Sequence, residues 1–219
     1  MQVVFNNLLF LFLWKLFFTV FPFFGGWTWQ DMRLLIACGT GSLGLMFVFF
    51  GGVKKMPDFI RLCQTSRPAL TSKAPLFTLL CGSSIPSGWG HLATSLFCFM
   101  LGDLSLIPLA FVYMTLACFL LTATHTLLYS LLFWCRAGSW IAIYEELFLL
   151  LSLYPIPHKN MCLLLLFPAG CVGTLPVTLL RTFSWSPFFI FLTSTSLFCF
   201  LAFIVFFFGC KKYQAQTLH

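Results

Sequence analysis

Between Phe198 and Gly209 the chain is apolar on every face, and segments of the same character recur along its whole length. A helix made of such a segment has no polar side to turn toward water. A bilayer core about 30 Å thick is crossed by roughly 20 apolar helical residues, whereas a membrane-spanning β-barrel needs alternating apolar and polar positions. Helices are therefore expected, and the fold class predicted is an all-α, polytopic transmembrane helix bundle of about seven or eight spans. With 60% hydrophobic and 8% charged residues and a mean hydropathy of +0.99, water cannot be the main solvent. So many spans fill the 219 residues and imply a single transmembrane domain over 1–219.

The expected segments are about 3–24, 34–53, a disturbed third one from Ala74, then His91 to Ile107, a turn near Pro108, and a fifth reaching Trp134. Three more follow at about 140–154, 161–180 and 188–210. Gly82, Ser83, Ser84, Pro86, Gly88 and Gly90 either end the third span or break it. Met1 to Phe24 lacks a basic leader region and a small-residue cleavage site, and Lys15 interrupts it, so a retained first span or an interfacial helix is expected.

The loop from Lys54 to Lys73 carries Lys54, Lys55, Arg61, Arg67 and Lys73 against one acid, Asp58, with Pro57 and Pro68 breaking any long helix. Such a loop reads as cytoplasmic and suits anionic headgroups. Eight spans place it on the same side as Lys211 and Lys212; seven would turn the remainder over. The net charge of +7 thus reflects topology, and nucleic acid is not an expected partner. The ten cysteines fall mostly within or at the ends of apolar segments and read as packing residues; no metal site and no cofactor is expected. Gly39, Gly41 and Gly44 spell a dinucleotide-type pattern inside an apolar span, where close helix packing is the better reading. Ser83, Ser84 and Ser87 lack the elbow of a serine hydrolase.

Asp103, Glu145 and Glu146 are three of the five acids, and all fall in hydrophobic segments together with His125. An ionisable group in hydrocarbon costs several kcal/mol, roughly 2.5 to 3.5 near mid-helix, so it faces a protein interior or a wet cavity. One reading is structural: Asp103 reaches the interface, His125 donates to a neighbouring carbonyl, and the glutamates snorkel. The other is an acid/base site. Across the turn near Gly138, His125 and Glu145 differ in depth by roughly 9 Å, within what helix tilt closes. Glu145 and Glu146 point about 100° apart, so only one of them faces such a site.

Gly102-Asp103 followed by Leu106, then Phe119, Thr124-His125 and Tyr129, resembles the Gly-Asp and His/Tyr helices of the lysoplasmalogenase family. Lys73-Ala74-Pro75-Leu76 and Leu153-Tyr154-Pro155 resemble two further landmarks of that family in the same order. The resemblance implies an eight-helix bundle that hydrolyses the vinyl-ether bond of lysoplasmalogens to a fatty aldehyde and a glycerophospho-alcohol. It implies a lipid pocket with Asp103 as a candidate acid, with Lys73, Tyr129 and Tyr154 as substrate-binding residues, and a lysophospholipid or other membrane lipid as partner. His125 and Glu145 are added as catalytic candidates by the depth argument, which leaves Asp103 roughly 18 Å from the depth of His125. Protonating a vinyl ether creates an oxocarbenium-like cation, which nearby carboxylates stabilise. The family's Ser-Asp pair on a late helix has no counterpart in Phe191-Leu192-Thr193-Ser194-Thr195-Ser196. The expectation is a lysoplasmalogenase-like hydrolase of an internal membrane such as the endoplasmic reticulum. The alternatives are a non-catalytic lipid-binding homologue and a small proton-coupled transporter.

Overall fold

The computed structural model describes residues 2–21, 26–66, 75–102, 104–135, 139–152 and 168–215. All regular elements among these are helical: α1 (Gln2–Val20), α2 (Trp29–Phe49), α3 (Met56–Ser66), α4 (Pro75–Cys81), α5 (Ser87–Met100), α6 (Ile107–Ser130), α7 (Ser139–Ser152), α8 (Pro168–Arg181) and α9 (Trp185–Ala215). Among the described residues four stretches are long and apolar enough to cross a membrane by length and composition: Gln2–Val20, Trp29–Phe49, Leu104–Phe133 and Trp185–Lys212. On α1 and α9 rows of large side chains point outward, among them Phe5, Phe12, Phe200, Phe203 and Phe208. A surface of that kind suits hydrocarbon and not water.

Helix α2 occupies the centre. Its residues from Leu35 to Met46 are all buried, and it packs most extensively on α5. The small residues at this crossing make the approach possible. A Cβ on Gly44 would stand 2.9 Å from the Gly88 carbonyl oxygen, and one on Gly88 would stand 3.0 Å from that of Gly44. A Cβ on Gly41 would run into Met114 and the Ser95 hydroxyl. Ser95 Oγ donates to the Ala37 carbonyl at 2.7 Å, joining the two helices by a hydrogen bond as well. Of the glycines read as packing residues, Gly41 and Gly44 lie at this close approach.

Contacts along the helices orient them. Arg33 meets the end of α5 through the Leu101 carbonyl, whereas Gly44 meets its beginning, so α2 and α5 are antiparallel. Helix α6 runs alongside α2, with Phe50 beside Phe119, and α9 runs alongside α6, with Phe206 beside Phe133. Helix α8 runs against α2, since Arg181 pairs with Asp31. The bundle thus has a basic end, holding Lys54, Lys55 and the α9 terminus with Lys211 and Lys212, and an opposite end holding Asp31, Arg33, Leu101 and Arg181.

Several boundaries differ from the expected ones for identifiable reasons. Helix α2 begins at Trp29 because Thr28 and Asp31 form a capping box: the Thr28 amide donates to Asp31 Oδ2 at 2.7 Å, and the Asp31 amide donates to Thr28 Oγ1 at 3.4 Å. The turn expected near Pro108 lies earlier, with Leu101 and Gly102 following α5 and a 3-10 turn at Leu104–Leu106, and Pro108 sits in the first turn of α6, where a missing N–H costs no hydrogen bond. The basic loop contains α3, whose first turn likewise accommodates Pro57. This short helix buries Met56, Ile60 and Cys63 against Phe133, Phe206 and Cys210, and so covers the basic end.

The opposite end is tied by Asp31. It is 2% exposed, and its Oδ2 also accepts from Thr28 Oγ1 at 2.6 Å and from Arg181 Nη2 at 2.5 Å. Removing the partner of a buried carboxylate leaves its charge uncompensated, whereas removing both groups leaves only a packing defect. Arg181 itself is 36% exposed, so solvent at this helix end screens the pair, and we expect Arg181→Leu to destabilise the purified protein by about 1 kcal/mol and Asp31→Leu/Arg181→Leu by less. At the α2–α5 crossing, Gly44→Leu should cost about 2 kcal/mol or more through overpacking. Thermal unfolding in detergent reads all three; a double variant as unstable as the single one would contradict the pairing argument.

Candidate functional site

An ionic cluster sits at the basic end, where α6 and α7 meet the short 3-10 turn of Gly51–Lys55. Gly51 and Gly52 let this turn lie directly on α4: a Cβ on Gly51 would stand 2.7 Å from the Ser83 carbonyl oxygen, and one on Gly52 would collide with that of Leu79. The turn therefore holds Lys54 over the bundle, where its ammonium pairs with Glu145. Glu145 is also the acceptor for the Tyr129 hydroxyl, at 2.7 Å to Oε2, and its Oε1 lies 3.7 Å from His125 Nε2. His125 and Tyr129 stand one turn apart on the same face of α6, which is why both reach one carboxylate on α7.

His125 is 1% exposed, with Phe148 edge-on at 5.9 Å between ring centroids. Its Nδ1 is 2.8 Å from the Leu121 carbonyl oxygen. A carbonyl only accepts, so Nδ1 carries the hydrogen of this bond. Nε2 is then the nitrogen free to take up or give a proton, and among the described residues it has no hydrogen-bond partner. The approach of Nε2 to Glu145 Oε1 sets a lone pair toward a carboxylate unless a proton or a donor group lies between them. That is the geometry of a proton-handling pair. At Lys54, which lies in the turn outside the long helices, burial pulls the ammonium below its usual pKa, and the neighbouring carboxylate is what gives its charge a counterpart.

The residues singled out from sequence divide into two groups. His125, Tyr129 and Glu145 come together as described, and Glu146, one position on, is exposed and outside the cluster. Asp103, Lys73 and Tyr154 lie outside the described residues. Sequence reasoning did not select Lys54, which read as one charge of a cytoplasmic loop. The signal was its position immediately after a buried apolar span ending in paired glycines, which fold the turn back onto the bundle.

Beside the cluster, α2, α4, α6 and α9 border a groove of about 870 Å³ that is open to the outer surface of the bundle at Phe77, Phe111 and Phe203. Its walls are apolar, including Leu45, Phe77, Phe119 and Phe203, and it reaches α6 at Thr122 and Thr126. Thr122 Oγ1 is used within the helix, donating to the Cys118 carbonyl at 2.8 Å, whereas buried Thr126 Oγ1 has no partner among the described residues. His125, Tyr129 and Glu145 do not line this cavity; it occupies the adjoining face of α6. Among the described residues no group of three or more His, Cys, Asp or Glu side chains could hold a metal ion.

The cluster predicts a spectroscopic change. With Lys54 present, Glu145 has a cation and a phenol stabilising its ionised form. In Lys54→Met the carboxylate loses its lysine partner, and a half-buried carboxylate so stripped takes up a proton more readily. Infrared difference spectra at neutral pH should then show a protonated-carboxyl band that is absent from the wild type and from Lys54→Met/Glu145→Gln. A spectrum unchanged by Lys54→Met would mean that the lysine does not hold Glu145 ionised. No protein-family model matches the chain, and comparison with curated proteins and with solved structures likewise finds no match.

Proposed function

We propose that the chain is a multi-pass protein of an internal membrane such as the endoplasmic reticulum, with its basic end toward the cytoplasm, and that it is a lysoplasmalogenase-like hydrolase. The observation that carries the reading is the convergence of Lys54, His125, Tyr129 and Glu145 in one cluster of an otherwise apolar bundle, next to a cavity suited to a hydrocarbon chain. The orientation rests on the concentration of Lys54, Lys55, Lys211 and Lys212 at one end. The substrate class and the membrane rest on the family resemblance carried by Gly102-Asp103, Thr124-His125 and Tyr129.

The chemistry follows from the two partners of Glu145. A vinyl ether is cleaved by protonating the carbon β to its oxygen, which leaves an oxocarbenium-like cation. Water adds to that cation, and the hemiacetal collapses to a fatty aldehyde and a free alcohol. His125, with Nδ1 held by the Leu121 carbonyl, delivers the proton from Nε2. Glu145, ionised beside Lys54, stabilises the cation and takes the proton of the attacking water. Return of that proton to His125 closes the cycle with one water consumed. Thr126 offers a buried hydroxyl in the wall of the chain-binding cavity.

Aldehyde release from a lysoplasmalogen by the purified, detergent-solubilised chain tests the reading. Glu145→Gln and His125→Asn should each lower the rate by about 100-fold or more, the usual worth of a general acid or base. Asp103→Asn is the control that separates the two candidate acids: loss of activity there, with Glu145→Gln active, moves the acid to Asp103. No aldehyde from protein that still binds lysolipid would sink the hydrolase in favour of a non-catalytic lipid-binding bundle. Proton flux in reconstituted vesicles, without hydrolysis, would favour the carrier.

A further inference from the structure

At the end of the bundle opposite the ionic cluster, a second and smaller concavity of about 290 Å³ lies between α1, α2 and α5. Two cations line it, Lys15 from α1 and Arg33 from α2, and among the described residues no acid lines it. The nearest acid along α2, Asp31, is already engaged by Arg181 and Thr28. Arg33 is fixed in place: its Nη1 donates to the Leu101 carbonyl, and its guanidinium lies so close over Gly102 that a Cβ there would collide with it. A guanidinium held this way, with donor capacity left over and a second cation beside it, is built to receive an anion with several acceptor oxygens.

The remaining walls say where the anion comes from. Phe12, Phe97 and Leu101 line the same concavity and are exposed on the outer surface of the bundle, with Trp29 at the helix end. An anion attached to hydrocarbon chains fits both parts, and a free inorganic anion fits only one. We propose that Lys15 and Arg33 bind the phosphodiester of an anionic membrane phospholipid, whose chains lie along α1 and α5. A lipid with a choline or ethanolamine group brings its own cation to a site that already holds two, so a net negative headgroup is selected. This site lies at the far end of α6 from His125, about 27 Å along the helix by its rise from Ile107, so it is independent of the reaction proposed above. In a chain oriented with its basic end inward, it reads the lipid of the opposite leaflet.

The experiment is native mass spectrometry of the full chain released from mixed micelles containing phosphatidylglycerol and phosphatidylcholine, for wild type, Lys15→Gln, Arg33→Gln and the double variant. The expected result is preferential retention of phosphatidylglycerol by the wild type. Retention should weaken about fivefold for each cation removed, in line with the attraction of one basic residue to an anionic headgroup. Lys15 is exposed on α1, so Lys15→Gln tests the site even if Arg33→Gln fails to fold. Equal retention by wild type and Lys15→Gln, or no preference between the two lipids, overturns the proposal. Inorganic phosphate that raises the melting temperature as much as phosphatidylglycerol does would also overturn it, since the anion would then be a soluble one.

Discussion

The crossing of α2 and α5 at Gly44 and Gly88 is the contact on which the rest of the bundle is arranged. Lipid and leucine are equally apolar, so helices in a bilayer gain little from hiding apolar surface, and their association depends on close packing and interhelical hydrogen bonds. At this crossing two backbones approach until neither glycine has room for a side chain, and Ser95 adds a hydrogen bond to Ala37. With α5 seated there, α2 is enclosed. Helices α6 and α8 take its remaining faces, and α1 is left outside, held to α5 by Asn7 Nδ2, 3.1 Å from His91 Nδ1 and 3.4 Å from Thr94 Oγ1.

Once the helices are apolar, each buried ionic group has to find its partner on another element, and those partners tie the two ends. Asp31 and Arg181 are 150 residues apart in sequence and join α2 to α8. Glu145 and Lys54 join α7 to the turn after α2. The two pairs differ in what remains unsatisfied. Asp31 has donors from Thr28 and Arg181, and nothing about it invites a further ligand. Glu145 faces an imidazole nitrogen that has no partner of its own. For that reason the first pair reads as structure and the second as a site.

Helical class was legible in the sequence because apolar runs such as Phe198 to Gly209 admit no other regular element in lipid, and the glycines at 41 and 44 marked the packed face. The ends of elements were harder to place. Pro108 looks like a turn because proline ends helices, yet it also starts them, and only the contacts of α5 with Arg33 put the turn before it. Asp31 appeared to belong to a polar stretch between segments. Its role as the third residue of a capping box was written in Thr28-x-x-Asp31, but its ion pair was not, since nothing local to α2 points to Arg181. Similarly, the depth argument brought His125 and Glu145 to within roughly 9 Å in depth, a gap helix tilt closes, while Lys54 was out of reach of it because a folded-back turn has no periodicity to read.

The tautomer of His125 links this geometry to chemistry. Nδ1 faces a carbonyl, so it holds its hydrogen whether the ring is neutral or charged, and every change of protonation occurs at Nε2. Glu145 Oε1 faces that atom. Three states are therefore open to the pair: imidazolium with carboxylate, imidazole with carboxylic acid, or both deprotonated with a donor group between them. Lys54 and Tyr129 weigh against the carboxylic acid, since both interact better with an anion. What is left is an imidazolium that can give its proton away, or a neutral ring that accepts one from a bound hydroxyl. A site that alternates between those two states performs one turnover of acid/base chemistry, and the burial of His125 confines the exchange to whatever reaches the face shared with Glu145.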